Sequence, residues 1–128
     1  MNNWITAAAV IVVGMATVAG PAAAQSGEAS KGQRIFNTQC RSCHTLEKDG
    51  AQVTGPKLHG LVGRKAGTSA GYAYSDAMKN SGIVWDEATL AEYNRDPKGK
   101  VPGTKMLYNG VKNAGQLADL VAYLKEAT

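Results

Sequence analysis

The chain has 128 residues, with 14 Lys+Arg against 10 Asp+Glu for a formal charge of +4, 44% hydrophobic residues and 19% charged ones. That size suits one small domain and excludes a large multidomain enzyme, and the composition is neither that of a disordered charged tail nor that of a coiled coil. With only two cysteines, the chain cannot build the disulfide framework of small secreted scaffolds, so a core this small needs another source of stabilisation.

In chain order, the first feature is an apolar run from Ile5 to Ala19, closed by Gly20-Pro21 and the small residues Ala22-Ala23-Ala24. Apolar stretch, breaker and Ala-x-Ala read as a secretory signal peptide over residues 1–24, cut after Ala24, although Met1 to Trp4 carries no Lys or Arg. The competing reading is a retained membrane anchor, but the run is short and Ala-rich for a bilayer span. Cleavage leaves one domain over 25–128, about 104 residues, that holds every charged side chain, and export places it in the periplasm without a permanent anchor.

No repeat, low-complexity block or Pro/Ser linker divides that domain. A helix is predicted over Ser30 to Cys40, with Ala29, Gly32, Ile35 and Phe36 on one face. Asp86 is an N-cap for a second helix through about Tyr93, carrying Leu90 and Tyr93 three apart. Asn113-Ala-Gly-Gln116 resembles a capping box, and Leu117, Leu120, Val121 and Leu124 form an apolar stripe to the C-terminus. Between the helices, Gly50 to Gly71 and Asp96 to Gly110 are rich in Gly, Pro, Lys and Thr and lack period-two alternation, so they read as long loops. Loops of that length in so small a domain imply disorder or a ligand that they wrap.

Cys40-Arg41-Ser42-Cys43-His44 resolves the choice, because C-x-x-C-H is the attachment signature of c-type haem. Thiols three residues apart on one turn can each form a thioether to a haem vinyl group, and the adjacent imidazole is carried to the iron. A thioredoxin-type dithiol would need a strand before Cys40, and none is predicted there. A zinc site would need further Cys or His, and only His59 remains. Covalent haem also supplies the missing core, with the loops as its walls. The iron's second ligand decides between electron transfer and small-molecule chemistry. The candidates are Met78, Met106 and His59; Pro102 and Gly103 stiffen the chain before Met106, which spacing puts modestly ahead of His59, while core packing is the ordinary role of a lone Met.

Lys31-Gly-Gln-Arg-Ile-Phe36, Cys40 to Thr45, Thr54-Gly-Pro-Lys-Leu-His-Gly-Leu61, Gly71-Tyr-Ala-Tyr-Ser-Asp76, Trp85, Pro102-Gly-Thr-Lys-Met106 and Ala118-Asp-Leu-Val-Ala-Tyr-Leu-Lys125 fall in one order. From about Gly27 to Thr128 the chain resembles class I c-type cytochromes, both the mitochondrial type and its bacterial periplasmic counterparts. The resemblance implies an all-α fold with crossing N- and C-terminal helices and long loops around one covalent haem c. It makes Met106 the iron ligand with His44, held by Cys40 and Cys43. Pro56 is then expected to accept the imidazole N–H of His44. Tyr74 and Trp85 resemble side chains that hydrogen-bond an inner haem propionate, and Arg64 the cation beside it. Tyr93 resembles the tyrosine whose hydroxyl approaches the methionine sulfur, and Thr104 a residue that fixes the same loop. Gly32 and Phe36 are expected to pack against Leu120 and Tyr123.

Two positions depart from the mitochondrial pattern: Met78 stands for a usual asparagine, and Tyr108 for a usual phenylalanine beside the exposed haem edge. His59 matches a position that is not a ligand. The function implied is a monomeric electron carrier, not an enzyme, with no catalytic residues; the rival is a haem enzyme or gas-binding sensor with a labile sixth ligand. No aromatic-interleaved basic stripe suggests nucleic acid. Arg34, Lys98, Lys105 and Lys112 match lysine-ring positions that dock redox partners, whether a cytochrome bc1-type complex, an oxidase, a reaction centre or a periplasmic dehydrogenase. Gln39, Val53 and Gly99 stand where that ring often has lysine, so a weaker, shifted ring is expected.

Overall fold

The computed structural model describes residues 26–128, so the expected signal peptide lies outside the described residues. Within them the chain forms α1 (Ala29–Gln39), α2 (Asp76–Lys79), α3 (Glu87–Arg95), α4 (Pro97–Lys100) and α5 (Ala114–Ala127). An isolated antiparallel bridge between Lys65 and Val84 is the one extended pairing among these residues, and the fold is all-α. None of the described helices is long and apolar enough to cross a membrane.

The predicted face of α1 is the one it buries, with Gly32 and Phe36 inside. It crosses α5, whose stripe of Leu117, Leu120, Val121 and Leu124 is buried as predicted. Phe36 and Leu120 are both 0% exposed, and the Phe36 and Tyr123 rings lie 5.7 Å apart between centroids. Gly32 permits the crossing: a Cβ there would lie 1.9 Å from the Asp119 carbonyl oxygen and 2.7 Å from Tyr123 Cβ. The backbone N–H of Glu28 adds a polar tie, donating to the Asp119 carboxylate at 2.7 Å.

The starts of the later helices are set by local side-chain chemistry. Asp86 caps α3 by accepting from Thr89 N–H at 2.8 Å, while Thr89 Oγ1 accepts from Asp86 N–H at 2.9 Å, a full capping box. Of the box expected before α5, the Asn113 half is present, accepting from Gln116 N–H at 3.0 Å. The single-turn helix α4 falls inside the Asp96 to Gly110 segment read as a loop, and α2 lies in a stretch for which no element was predicted. Ser75 caps α2, and Asp96 followed by Pro97 starts α4, the N-cap and N1 pairing that a rigid φ favours. The 50–71 segment is loop, as predicted.

Candidate functional site

The last turn of α1 runs directly into the C-x-x-C-H pentapeptide. Cys40 and Arg41 N–H both donate to Phe36 O, and Cys43 and His44 N–H both donate to Cys40 O at 3.0 Å. That curl brings Cys40, Cys43 and His44 to the wall of one cavity. No disulfide joins the two cysteines, and burial, with Cys43 nearby, pushes the Cys40 thiol up to about 11. A redox dithiol works through a thiolate of depressed pKa, so Cys40 is tuned away from that chemistry.

The His44 imidazole is aimed from behind. Its Nδ1–H donates to the Pro56 carbonyl at 2.8 Å, which fixes the tautomer and leaves Nε2 unprotonated. Burial lowers its pKa, with the Pro56 contact acting in the other direction, so the imidazole is neutral at neutral pH and fit to ligate. Gly55 makes room for the ring: a Cβ there would stand 2.5 Å from His44 Cε1. Gly55 is in turn held by its N–H to the Cys43 carbonyl at 2.7 Å.

A distant segment contributes Met106 to the same cavity. Gly103, at φ 93°, turns the chain before it. The Tyr93 hydroxyl pairs with Thr104 Oγ1 at 2.7 Å, and Met106 N–H reaches Thr104 Oγ1 at 3.4 Å. Tyr93 was expected to approach the methionine sulfur; its partner is the threonine that braces the methionine's backbone. Burial raises the Tyr93 pKa, the Thr104 contact opposing it, so the phenol stays protonated and can donate.

Arg64, Tyr74 and Trp85 complete the predicted set and line the same cavity. Arg64 braces the preceding loop by donating to the carbonyls of His59 at 2.9 Å and Lys57 at 3.1 Å. The Tyr74 hydroxyl accepts from Ser69 N–H at 3.3 Å, and Trp85 stacks at a tilt on Tyr93, 5.2 Å between centroids. Met78 is also buried on this wall, whereas His59 is exposed and outside it. Sequence reasoning missed the spatial role of Gly55, whose Gly-Pro placement was the available signal, and the pairing of Tyr108 with Gln39, for which no local signal exists.

The cavity opens to solvent, and its walls come from the C-x-x-C-H turn on one side and the Met106 segment on the other. Its lining is mostly apolar, includes no Asp or Glu among the described residues, and carries Arg64 and Lys105 as its cations. A flat apolar macrocycle with anionic side arms fits that lining, with the Cys40 and Cys43 thiols to tether it and the His44 imidazole nitrogen to ligate it. No group of three or more His, Cys, Asp or Glu able to hold a bare metal ion occurs among the described residues. The site and the helical scaffold together define a c-type haem protein.

The family model for cytochrome c matches residues 29–128, and the chain belongs to that family. It is 52% identical to a cytochrome c of Gibberella zeae over 102 residues, 80% of this chain and 96% of the relative. It is 48% identical to one of Ginkgo biloba over 105 residues (82% and 93%) and 49% identical to one of Chlamydomonas reinhardtii over 107 (84% and 96%). The cofactor is covalent haem c, and the protein is an electron carrier rather than an enzyme, acting with redox partners. The periplasmic destination is corrected by these same matches. The relatives are cytochromes c of a fungus, a seed plant and a green alga, eukaryotes without a bacterial periplasm, so export by a signal peptide to that compartment is overturned.

Proposed function

We propose that Cys40 and Cys43 would hold the haem through thioethers and that His44 and Met106 would ligate its iron, in a cytochrome c unit spanning residues 25–128. The observation that carries this reading is the convergence of His44 and Met106, from segments some sixty residues apart in the chain, on one cavity that also presents both thiols. Each cysteine would hold the haem by a thioether formed when its S–H adds across one vinyl double bond, so that no other group has to leave. When bound, the haem supplies one-electron redox chemistry, and methionine ligation favours its reduced state.

The protein's own contribution is to hold both ligands still. Pro56 O orients the imidazole through Nδ1, and Gly55 lets it sit there. Tyr93 and Thr104 brace the Met106 backbone. Arg64, Tyr74 and Trp85 are positioned to hold a haem propionate in the cavity they share.

Docking by an acidic redox partner, such as a bc1-type complex, an oxidase or a reaction centre, is assigned to the face bearing Arg34, Lys98, Lys105 and Lys112. Lys105 belongs to the cavity rim, its ammonium donating to Ala73 O at 2.8 Å, and Lys112 donates to Arg95 O at 2.7 Å. These contacts fix the direction of two charges that would otherwise sample many rotamers. Carbon monoxide added to the reduced holoprotein tests the whole reading. Resistance to binding is expected of a filled sixth position; ready binding contradicts it and favours the gas-binding alternative.

A further inference from the structure

The segment from Thr104 to Asn109 alternates strictly between half-buried and exposed residues: Thr104, Met106 and Tyr108 turn inward, and Lys105, Leu107 and Asn109 turn out. That is the period of extended chain, and it explains why Leu107 is 92% exposed. An extended segment is ordinarily held by a strand ladder, yet this one has no strand partner. Backbone bonds hold its two ends, Thr104 N–H to Val101 O at 3.0 Å and Val111 N–H to Asn94 O at 2.8 Å. Between them, among the described residues, no backbone-to-backbone bond is made. The position of Met106 is therefore set by side-chain tethers.

Three such tethers exist. Thr104 ties to Tyr93, and Lys105 Nζ donates to Ala73 O. The third comes from Tyr108, whose hydroxyl donates to Gln39 Oε1 at 2.5 Å over a sequence separation of 69 residues. Gln39 ends α1 and immediately precedes Cys40, so this bond joins the methionine segment to the helix that presents the thiols. Both residues line the cavity.

We propose that the Tyr108–Gln39 bond is a latch that positions Met106, coupling the methionine segment to the haem-attachment helix and so limiting how readily another ligand displaces the thioether. The latch rests on the assignment of Met106 as an axial ligand. Tyr108 and Gln39 are positioning residues, since neither supplies a ligand atom.

The test is imidazole titration of the ferric holoprotein, followed by loss of the sulfur-to-iron charge-transfer band. Tyr108→Phe keeps the ring and removes the donor; Gln39→Leu removes the acceptor. Each is expected to raise the apparent imidazole affinity about fivefold, which corresponds to ~1 kcal/mol, the usual net worth of one such bond. The double variant is expected to go no further than either single one, because both remove the same contact. Gln39→Glu, which still accepts from the phenol, is expected to stay within about twofold of wild type. Single variants with wild-type affinity, or a double variant with additive effects, overturn the latch while leaving Met106 as ligand. A wild-type spectrum lacking the band overturns the ligand assignment and the latch with it.

Discussion

Gly32→Ala is a single-methyl change that sets two effects against each other. Inside a helix, alanine gains about 1 kcal/mol over glycine. Here the new Cβ would fall 1.9 Å from the Asp119 carbonyl oxygen and 2.5 Å from its carbon, both main-chain atoms of α5. Ordinary contact begins near 3.4 Å, so the helices must separate by more than an ångström. Such a gap forfeits roughly a quarter to a half of each dispersion contact along the seam. Phe36 and Leu120, both 0% exposed, lie on that seam. Overpacking usually costs about 1–3 kcal/mol, more when the obstacle is backbone that cannot rotate away. The net expectation is about 2–4 kcal/mol of destabilisation, a fall in Tm of very roughly 10–25 °C for a domain of this size. Guanidinium denaturation of the holoprotein measures it as a lower midpoint at constant m. A variant within about 0.5 kcal/mol of wild type refutes the reasoning that close backbone approach, and not mere smallness, is what Gly32 provides.

Gly55→Ala is expected to push the His44 ring off the Pro56 carbonyl and weaken iron ligation about 10- to 100-fold, the range seen for lost ligand-orienting contacts, read as high-spin character in the ferric spectrum; an unchanged spectrum counts against the orienting role. The Asp86 carboxyl is held below its ordinary 3.8 first by the Thr89 N–H and then by the Thr89 hydroxyl. With its folded pKa depressed, it contributes stability that is present above that ordinary value and lost as pH falls through the folded one. Asp86→Asn, which keeps a capping oxygen at any pH, is therefore expected to gain on wild type between neutral pH and about pH 3, compared by denaturation midpoints at the two conditions. Lys98→Glu is expected to slow electron transfer to an acidic partner at low salt and to flatten its decline as ionic strength rises; a rate indifferent to both charge and salt rules out the basic docking face.

The parts legible in the sequence are those written in local chemistry. The C-x-x-C-H turn needs only consecutive residues, and the stripe of Leu117, Leu120, Val121 and Leu124 needs only helical periodicity. Both stand as predicted. The single-turn helices were hidden because Pro97-Lys-Gly-Lys has no apolar period to announce it, although Asp96 and Pro97 carried a start signal. The box at Asp86 closes through Thr89, a residue type outside the usual Glu/Gln pattern, so only the N-cap itself was legible. Tyr108 and Gln39 meet only because the helix and the methionine segment converge, a tertiary fact with no spacing rule behind it. Destination was misjudged for a different reason. An apolar leader and resemblance to bacterial carriers pointed to export, whereas the relatives are eukaryotic cytochromes c.

The visible and near-infrared spectrum of the purified holoprotein in both oxidation states tests the central claim most directly. It predicts low-spin covalent haem with a sulfur-to-iron charge-transfer band in the ferric state that is absent from Met106→Ala and retained in Met78→Leu. A high-spin ferric spectrum, or a band that survives the loss of Met106, contradicts it.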